Sequence, residues 1–333
     1  SGTTAIGGSS SVTVALPIWS SAGTQTLTCT ATTSDGLGGP LTWTLTATVN
    51  AAPTGVGATG GTVDLLDFVF NGDTRPPNCD QNTAYPAAAF ASEVVKQAAL
   101  NTQFALDLGD HMYVCTAGDT GLANAQTQFK NFTDALDANW PSNRLWFMTM
   151  GNHECQVNQG NGYCFPGGTD PNFNTWFGGL QKYSKQSFPN YKIDITTRHG
   201  LVRLLVIADN SYNATIGTWV DQQLTDADQH AFATLVARHH TVVDRTTPDW
   251  VLKLLDNHKA TLLMVAHDHK YYRSTYTRAN GTTIPAAVCG LGAANTGYTG
   301  FCRLTEQANG SFVITQYDIY GTPHDTWSVS GQQ

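Results

Sequence analysis

The pattern of apolar and polar positions divides the chain into two parts. From Ser1 to about Gly60 the runs SVTVALP, TQTLTCTATT and LTWTLTATV alternate apolar with polar residues, as half-exposed strands do. We therefore predict a small β-rich N-terminal domain or extension over residues 1–60. The uncharged, Gly-rich stretch Ala51–Thr62 is typical of a linker or a long exposed turn. Residues 61–333 form the second predicted domain.

In the second part, continuous apolar runs alternate with runs of helical spacing. VDLLDFVF, FALDLGD and RLWFMTMGNHE are too apolar for half-exposed strands, and the segments between them, PAAAFASEVVKQAALN and NAQTQFKNFTDALDAN, have helical periodicity. LVRLLVIADN, AFATLVARHH and TLLMVAHDH are further buried strands, with helices near 219–228 and 249–257 between them. This order predicts an α/β fold. Ligands of such folds bind at the carboxyl ends of the strands.

Polar motifs stand where five of these strands end. In chain order the motifs are NGD, GDHMY, GNHE, VARHH and AHDHKYYR. Their candidate donor residues are Asp73; Asp110 and Tyr113; Asn152 and His153; His239 and His240; and His267 and His269. Each motif alone has an ordinary interpretation, since Gly-Asp is a common turn and a single histidine is usually a packed or surface group. Together they supply the several ligands and the shared carboxylate that two adjacent cations need.

From about Asp64 to Ser330 this set of motifs resembles the calcineurin-like metallophosphoesterases and, within them, the purple acid phosphatases. Two features favour the purple branch: the tyrosine three residues after the aspartate in GDHMY, and the Tyr and Arg that follow the histidines in AHDHKYYR. NGTTIPAAVCGLGAA is similar to the strand and glycine turn of that branch. The resemblance implies a metallophosphoesterase-type four-layer α/β/β/α sandwich, here with a small N-terminal β appendage.

The resemblance also implies a binuclear centre of Fe(III) and a divalent ion, which would be zinc, iron or manganese. The implied ligands of the ferric ion are Asp73, Tyr113 and His269. Those of the divalent ion are Asn152, His239 and His267. Asp110 is the implied bridging carboxylate. Phenolate and carboxylate oxygens suit the harder trivalent ion, whereas imidazoles and an amide oxygen suit the divalent one. Such a centre would make hydroxide available for attack on phosphorus and polarise the phosphoryl oxygens.

The residues after Asn152 have separate expected roles. His153 would face the substrate, where it could protonate the leaving alkoxide or fix a phosphate oxygen. Glu154 would orient metal ligands from behind.

The first motif departs from the pattern of many relatives outside the purple branch. Those relatives carry Asp-x-His, but this chain has arginine at position 75. A guanidinium is permanently protonated, so Arg75 does not ligate a metal. If Tyr113 takes the place of that histidine, Arg75 could bind the substrate phosphate through a bidentate contact, or it could form a structural ion pair.

Two further histidines are candidates for the substrate side of the site. The family usually has a proline two residues beyond the ligand of the fourth motif, and Thr241 occupies that position if His239 is the ligand. This register leaves His240 behind the ligand or facing the substrate. His111 is near enough in sequence to reach the same cleft, although a loop histidine facing solvent is its ordinary interpretation.

Composition narrows the range of partners. The net charge is −8 and the 17 Lys and Arg residues are scattered, so there is no broad basic face for nucleic acid. No run approaches the roughly 18 consecutive apolar residues of a membrane helix. A small phosphorylated substrate is compatible with this charge, because bound metal ions supply a local positive field. The sequence gives no indication of the oligomeric state.

The cysteine spacing favours disulfides. The 7 cysteines form no CxxC clusters. We expect Cys155–Cys164 to close a short loop, Cys289–Cys302 to staple a hairpin and Cys79–Cys115 to join the loops after two neighbouring strands, with Cys29 left over. These bonds imply a secreted protein, extracellular or periplasmic, whose leader has been removed before Ser1. Buried free thiols in a cytosolic protein are the alternative.

We therefore predict a secreted phosphatase that hydrolyses phosphate monoesters by attack of metal-activated hydroxide. A phosphodiesterase or nucleotidase with the same metal centre is the alternative within this chemistry. A surface binding module with a vestigial metal site is the alternative from a different class, and a missing ligand in one of the five motifs would have favoured it.

Overall fold

The computed structural model describes most of the chain in segments. The described residues are 2–6, 10–14, 23–31, 41–49, 55–82, 87–154, 180–208, 214–242, 249–290 and 300–331. The chain divides into two compact units, Ser1–Thr54 and Gly55–Gln333. Among the described residues, no helix combines the length and the apolar character needed to cross a membrane.

The first unit contains two antiparallel strand pairs. β1 (Gly2–Ile6) pairs with β2 (Ser10–Val14), and β3 (Gly23–Ala31) pairs with β4 (Leu41–Val49). The register of the second pair places Leu27 opposite Leu45, so apolar positions of the two alternating patterns coincide. The strands predicted from the alternation are therefore confirmed.

The second unit contains a six-stranded sheet and an eight-stranded sheet. The strands of the six-stranded sheet, in spatial order, are β18 (Pro323–Val329), β17 (Phe312–Asp318), β16 (Gly300–Glu306), β7 (Asp67–Asn71), β8 (Phe104–Asp107) and β9 (Trp146–Met148). β7, β8 and β9 run parallel, and the other pairs are antiparallel. These parallel strands are three of those predicted from the sequence.

The eight-stranded sheet contains the other predicted strands. In spatial order it consists of β14 (Tyr271–Thr277), β15 (Thr283–Cys289), β13 (Leu262–Val265), β12 (Ala231–Ala237), β11 (Gly200–Val206), β10 (Tyr191–Thr197), β6 (Gly60–Thr62) and β5 (Gly55–Gly57). β11, β12, β13 and β15 are parallel. The last two strands form a hairpin at the edge, so the part of the Gly-rich stretch from residue 55 onward is paired in the sheet and is not a linker.

Helices cover the outer faces of both sheets. Those in the described part of the chain are α1 (Ala87–Ala99), α2 (Gly118–Asn139), α3 (Ala214–His230) and α4 (Trp250–Leu255). A π-helical turn spans Leu180–Ser184. Along β11, Leu204 packs in the core shared by both sheets, whereas Leu205 packs in a second core with α3 and α4. Phe90 of α1 and Phe132 of α2 contact Trp146 of β9 from the other side. The predicted four-layer α/β/β/α sandwich is confirmed.

Within the described segments, two disulfides tie the second unit together. Cys79–Cys115 joins the loops after β7 and β8, as predicted. Cys289–Cys302 does not staple a hairpin: it joins β15 of one sheet to β16 of the other. The predicted pairing of these two cysteines is confirmed, but the predicted hairpin is wrong because strands that are neighbours in the chain belong to different sheets. The predicted bond between Cys155 and Cys164 lies outside the described residues.

Candidate metal centre

The polar motifs converge where the parallel strands of both sheets end. Asp73, Asp110 and Asn152 follow β7, β8 and β9, and His239 and His267 follow β12 and β13. Asp73, Asp110 and His239 form the tightest group, because each contributes one donor atom to a set that lies within 4.8 Å. His239 Nε2 is 3.4 Å from Asp110 Oδ2 and 3.9 Å from Asp73 Oδ1. All three side chains are buried.

Asp73 has the environment of a metal-binding carboxylate. Among the described residues, neither of its buried oxygens accepts a hydrogen bond of normal geometry. Burial raises the pKa of Asp73 to about 7, with His239 opposing this shift and the charge of Asp110 adding to it. A carboxylate that is buried and lacks donors is costly unless a cation compensates it. The site therefore fits a cation.

Asp110 is the better stabilised of the two carboxylates. Burial alone would raise its pKa, but His239 and His153 hold it well below the ordinary value. The backbone N–H of His153 donates to Asp110 Oδ1 at 3.0 Å. The carboxylate of Asp110 is thus the ionised group at the centre of the site.

Asn152, His239 and His267 form a second convergent group. Asn152 Oδ1 lies 3.1 Å from His239 Nε2 and 3.0 Å from His267 Nδ1. His239 Nδ1 is 2.8 Å from the carbonyl oxygen of Leu108, which can only accept. His239 Nδ1 therefore carries a proton that it donates to this carbonyl oxygen, and Nε2 is the ring nitrogen that faces the group.

His269 approaches the carboxylates together with Arg75. Its Nε2 lies 3.8 Å from Asp73 Oδ1 and accepts from Arg75 Nη2 at 2.9 Å. Because arginine only donates, Nε2 accepts through its lone pair and His269 is neutral. Burial, reinforced by Arg75, lowers the pKa of His269 to about 4.

Arg75, Tyr113 and His153 form a row of contacting side chains beside Asp110, in which the Tyr113 and His153 rings meet edge-on. The guanidinium of Arg75 lies 4.3 Å above the centre of the Tyr113 ring, and its Nε is 3.4 Å from Asp110 Oδ2. The Tyr113 and His153 rings are 4.4 Å apart, and His153 Nε2 is 3.6 Å from Asp110 Oδ2. Arg75 therefore makes an ion pair with Asp110, the second of the two roles expected for it. Arg75 and His153 border the carboxylate that is predicted to bridge the metals, and Tyr113 contacts both of them.

His111 does not face solvent, contrary to its ordinary interpretation as a loop histidine. Its side chain is fully buried, with Nε2 2.8 Å from Asp107 Oδ1 and Nδ1 3.3 Å from Glu154 Oε1. Burial lowers the pKa of His111, but these two carboxylates outweigh it and raise the pKa to about 10. His111 therefore lies behind the metal ligands.

His240 lies next to the second convergent group. Its ring centre is 4.5 Å from that of His267 and 5.4 Å from that of His239, and the side chain is buried. This position packs His240 against two predicted ligands.

Backbone strain is concentrated at the predicted ligands. The φ angles are 60° at Asp73, 62° at Asp110, 73° at His267 and 53° at His269. A left-handed residue other than glycine is uncommon and costs on the order of 1 kcal/mol. The surrounding structure holds these ligands in conformations that the chain alone does not favour, which is typical of functional sites.

Three residues that support the site were not identified from the sequence. Gly290 and Gly151 press against Asp73 and Asp110: an added Cβ would lie 2.1 Å from Asp73 Oδ2 and 2.2 Å from Asp110 Oδ1 respectively. Asp107 accepts from the N–H of Gly109 at 2.8 Å. A charged residue within the apolar run FALD was the one available signal, whereas nothing local indicated which glycines would touch the carboxylates.

The comparisons agree with this geometry. The family model for calcineurin-like phosphoesterases matches residues 79–271. A dimetal phosphatase from Danio rerio has a similar structure, with a TM-score of 0.57 and 15% identity over 81% of this chain and 100% of that one. GAP50, described as the anchor in the inner membrane complex of Plasmodium, gives a TM-score of 0.52 and 15% identity over 81% and 90% of the two chains. At this identity the likeness concerns the fold alone. No curated protein matches the sequence significantly.

Proposed function

Because this chain belongs to the calcineurin-like phosphoesterase family, we propose that it is a phosphatase that hydrolyses phosphate monoesters with two metal ions. The observation that carries the proposal is the convergence of Asp73, Asp110 and His239 within 4.8 Å. Both oxygens of Asp73 are buried and accept no normal hydrogen bond from any residue that the structure describes. Substrate class and metal identity are part of the proposal.

The approach of His269 to Asp73, and that of His239 and His267 to Asn152, supports two sets of ligands, while Tyr113 enters the first set through the sequence motif alone. Asp73, His269 and Tyr113 would hold Fe(III), and Asn152, His239 and His267 would hold zinc, iron or manganese. A donor atom of Asp110 lies within 4.8 Å of Asp73 from the first group and of His239 from the second, which suits a bridging carboxylate. When bound, the metal ions would supply a nucleophilic hydroxide and neutralise charge on the phosphoryl oxygens.

Arg75 and His153 are the groups of the chain that would act on the substrate. The guanidinium of Arg75 stacks on Tyr113 and would attract the substrate phosphate as a permanent positive charge beside the metal centre. His153 would hold a proton at Nε2, beside Asp110, and donate it to the leaving alkoxide. We place His240 behind His267 as an orienting group.

The proposal is tested by assaying the purified chain on p-nitrophenyl phosphate and on bis-p-nitrophenyl phosphate, with and without a chelator. We expect metal-dependent turnover with the monoester preferred. A diester preference would favour the phosphodiesterase alternative. Absence of turnover on both esters, in protein that contains metal, would favour a binding module.

The purple branch has a separate spectroscopic test. If Tyr113 binds Fe(III), the iron-loaded protein has a visible tyrosinate-to-iron charge-transfer band, and Tyr113→Phe removes the band while the fold persists. A colourless and fully active enzyme with zinc or manganese alone would refute the iron assignment and leave phosphoester hydrolysis standing.

Export to an oxidising compartment is also part of the proposal. The disulfides Cys79–Cys115 and Cys289–Cys302 support it, since such bonds persist mainly outside the cytosol. Protein isolated from its natural source without reductant should contain these bonds. Recovery of all four thiols in reduced form would contradict export.

A further inference from the structure

Behind the metal centre, His111 lies between two buried carboxylates. We call Asp107, His111 and Glu154 the His111 cluster. The imidazole reaches Asp107 Oδ1 through Nε2 at 2.8 Å and Glu154 Oε1 through Nδ1 at 3.3 Å. The side chains of all three residues are buried. No member of the cluster is exposed to a substrate.

The carboxylates of the cluster bind the backbone of two separate loops. Glu154 accepts from the N–H of Asp110 at 2.8 Å, of His111 at 2.6 Å and of Gly151 at 2.6 Å. One carboxylate therefore joins the loop after β8, which carries Asp110, to the loop after β9, which carries Asn152 and His153. Gly151 in turn touches the Asp110 carboxylate, so a small shift of either loop would displace a predicted metal ligand.

The surroundings of His111 make it the group that compensates the negative charges of both carboxylates. Its ring meets Phe129 and Phe132 of α2 edge-on, with ring centres 5.8 and 4.7 Å away. This apolar wall offers no hydrogen-bond donor. Without the imidazole, Asp107 and Glu154 would be two like charges in a poorly solvated place, which favours their separation.

We propose that His111 is a positioning residue: by bridging Asp107 and Glu154 it fixes the two loops so that Asp110, Asn152 and His153 keep their mutual geometry. This inference rests on the proposed function, since the metal centre is what the loops position. Substitutions of residues that hold metal ligands in place typically weaken metal binding or activity by about 10- to 100-fold.

The test compares His111→Gln with His199→Gln. His199 is a matched control because its Nδ1 contacts a buried carboxylate, Glu306 Oε1, at 2.7 Å. Glu306 binds the N–H of Leu66 before β7, at the end of the sheet opposite the metal centre. Mn²⁺ and Zn²⁺ dissociation constants are measured by chelator competition, together with kcat, KM and amide hydrogen exchange. If His111→Gln does not fold, His111→Asn retains a donor near the position of Nδ1.

For His111→Gln we expect metal binding about 10- to 100-fold weaker and a fall in kcat with little change in KM. Amide exchange should increase in the peptide that contains Gly151, although the substitution lies in the other loop. His199→Gln should lose comparable stability and keep its metal affinity. Equal metal affinity of wild type and His111→Gln would overturn the proposal while the phosphatase function stands.

Amide hydrogen exchange distinguishes failure of the His111 proposal from failure of the proposed phosphatase function. If the wild type binds no metal, the proposed function fails, and the role of His111 is then decided by exchange alone. Unchanged exchange near Gly151 in His111→Gln would overturn it. Faster exchange there, absent from His199→Gln, would support it.

Discussion

Gly290 lies directly against the carboxylate of Asp73: a Cβ at position 290 would be 2.1 Å from Asp73 Oδ2 and 3.1 Å from the backbone N of His269. Gly290 follows β15 of the eight-stranded sheet, whereas Asp73 follows β7 of the six-stranded sheet. The two sheets therefore meet at this point through a glycine that leaves room for the carboxylate.

Gly290→Ala should displace Asp73, because the added methyl group cannot fit without moving the carboxylate. A displacement of about 1 Å in such a site costs on the order of 100-fold in rate. We expect kcat/KM to fall by about that factor and metal content per chain to decrease, as measured by assay and elemental analysis. Gly57→Ala is the control, since its Cβ would meet only the carbonyl oxygen of Gly60, at 3.4 Å. A fully active Gly290→Ala enzyme would contradict the proposed role of Asp73.

Asn152 and His153 are adjacent, but we expect their substitutions to differ. Asn152 Oδ1 faces two imidazoles, so Asn152→Ala should reduce both metal content and turnover. His153→Ala should keep the metals and lose about 100- to 10,000-fold in kcat, the range for loss of a proton donor. Measuring the metal content and the turnover rate of both variants distinguishes the metal ligand from the proton donor. Equal metal loss in the two variants would show that the division is wrong.

The disulfide Cys79–Cys115 should stabilise both the fold and the site. It closes a loop with a sequence separation of 36, for which chain entropy gives about 4 kcal/mol of stabilisation. Its two loops carry Arg75 and Tyr113, so opening it should also disturb their stacking. We expect the Cys79→Ser/Cys115→Ser double variant to show this loss in denaturant unfolding and about tenfold lower kcat/KM.

Leu224→Ala is the control for that double variant. Leu224 is buried in the core beside α3, and its truncation typically costs about 2–5 kcal/mol. We expect this control to keep its activity under conditions where the chain remains folded. If both variants lose activity equally, the loss reflects stability and not the Arg75–Tyr113 contact.

Asp194 should make the free energy of unfolding depend on pH in the acid range. Burial alone would raise the pKa of Asp194, but the side chains of Arg203 and Lys192 hold it below the ordinary value. Their nitrogens lie 2.7 and 2.9 Å from its carboxylate oxygens. A carboxylate whose pKa is lowered on folding stabilises the fold above its unfolded pKa and loses this effect as the pH falls through the folded value.

We therefore expect Asp194→Asn to be less stable than the wild type at neutral pH. The difference should shrink as the pH falls below about 4, the ordinary aspartate pKa. Urea unfolding of both proteins between neutral and acid pH measures this. A difference independent of pH would mean that the ion pair with Arg203 does not set the stability.

Much of the site could be predicted because its signals are local. The apolar runs ending in NGD, GDHMY, GNHE, VARHH and AHDHKYYR mark buried strands, and the carboxyl ends of such strands meet at one edge. The types of donor indicated metal chemistry without any knowledge of distances. The assignment of each ligand to a particular ion stays a prediction.

Other features could not be predicted, because they depend on contacts between distant parts of the chain. His111 was predicted either to reach the substrate side of the site or to face solvent on a loop, but α2 covers it with Phe129 and Phe132. Cys289 and Cys302 are close in sequence, yet they lie on different sheets. Hydrophobic periodicity specifies which face of an element is buried and does not specify which element covers it.

The sequence by itself determined the α/β sandwich, the edge at which the polar residues gather and the kinds of atoms they offer. Only the tertiary structure decided how those atoms are held: Gly290 against Asp73, Arg75 on Tyr113 and against Asp110, and His111 between two carboxylates. The physical reason is that strand and helix patterns arise from neighbouring residues. The position of a buried charge is set by every group that packs around it.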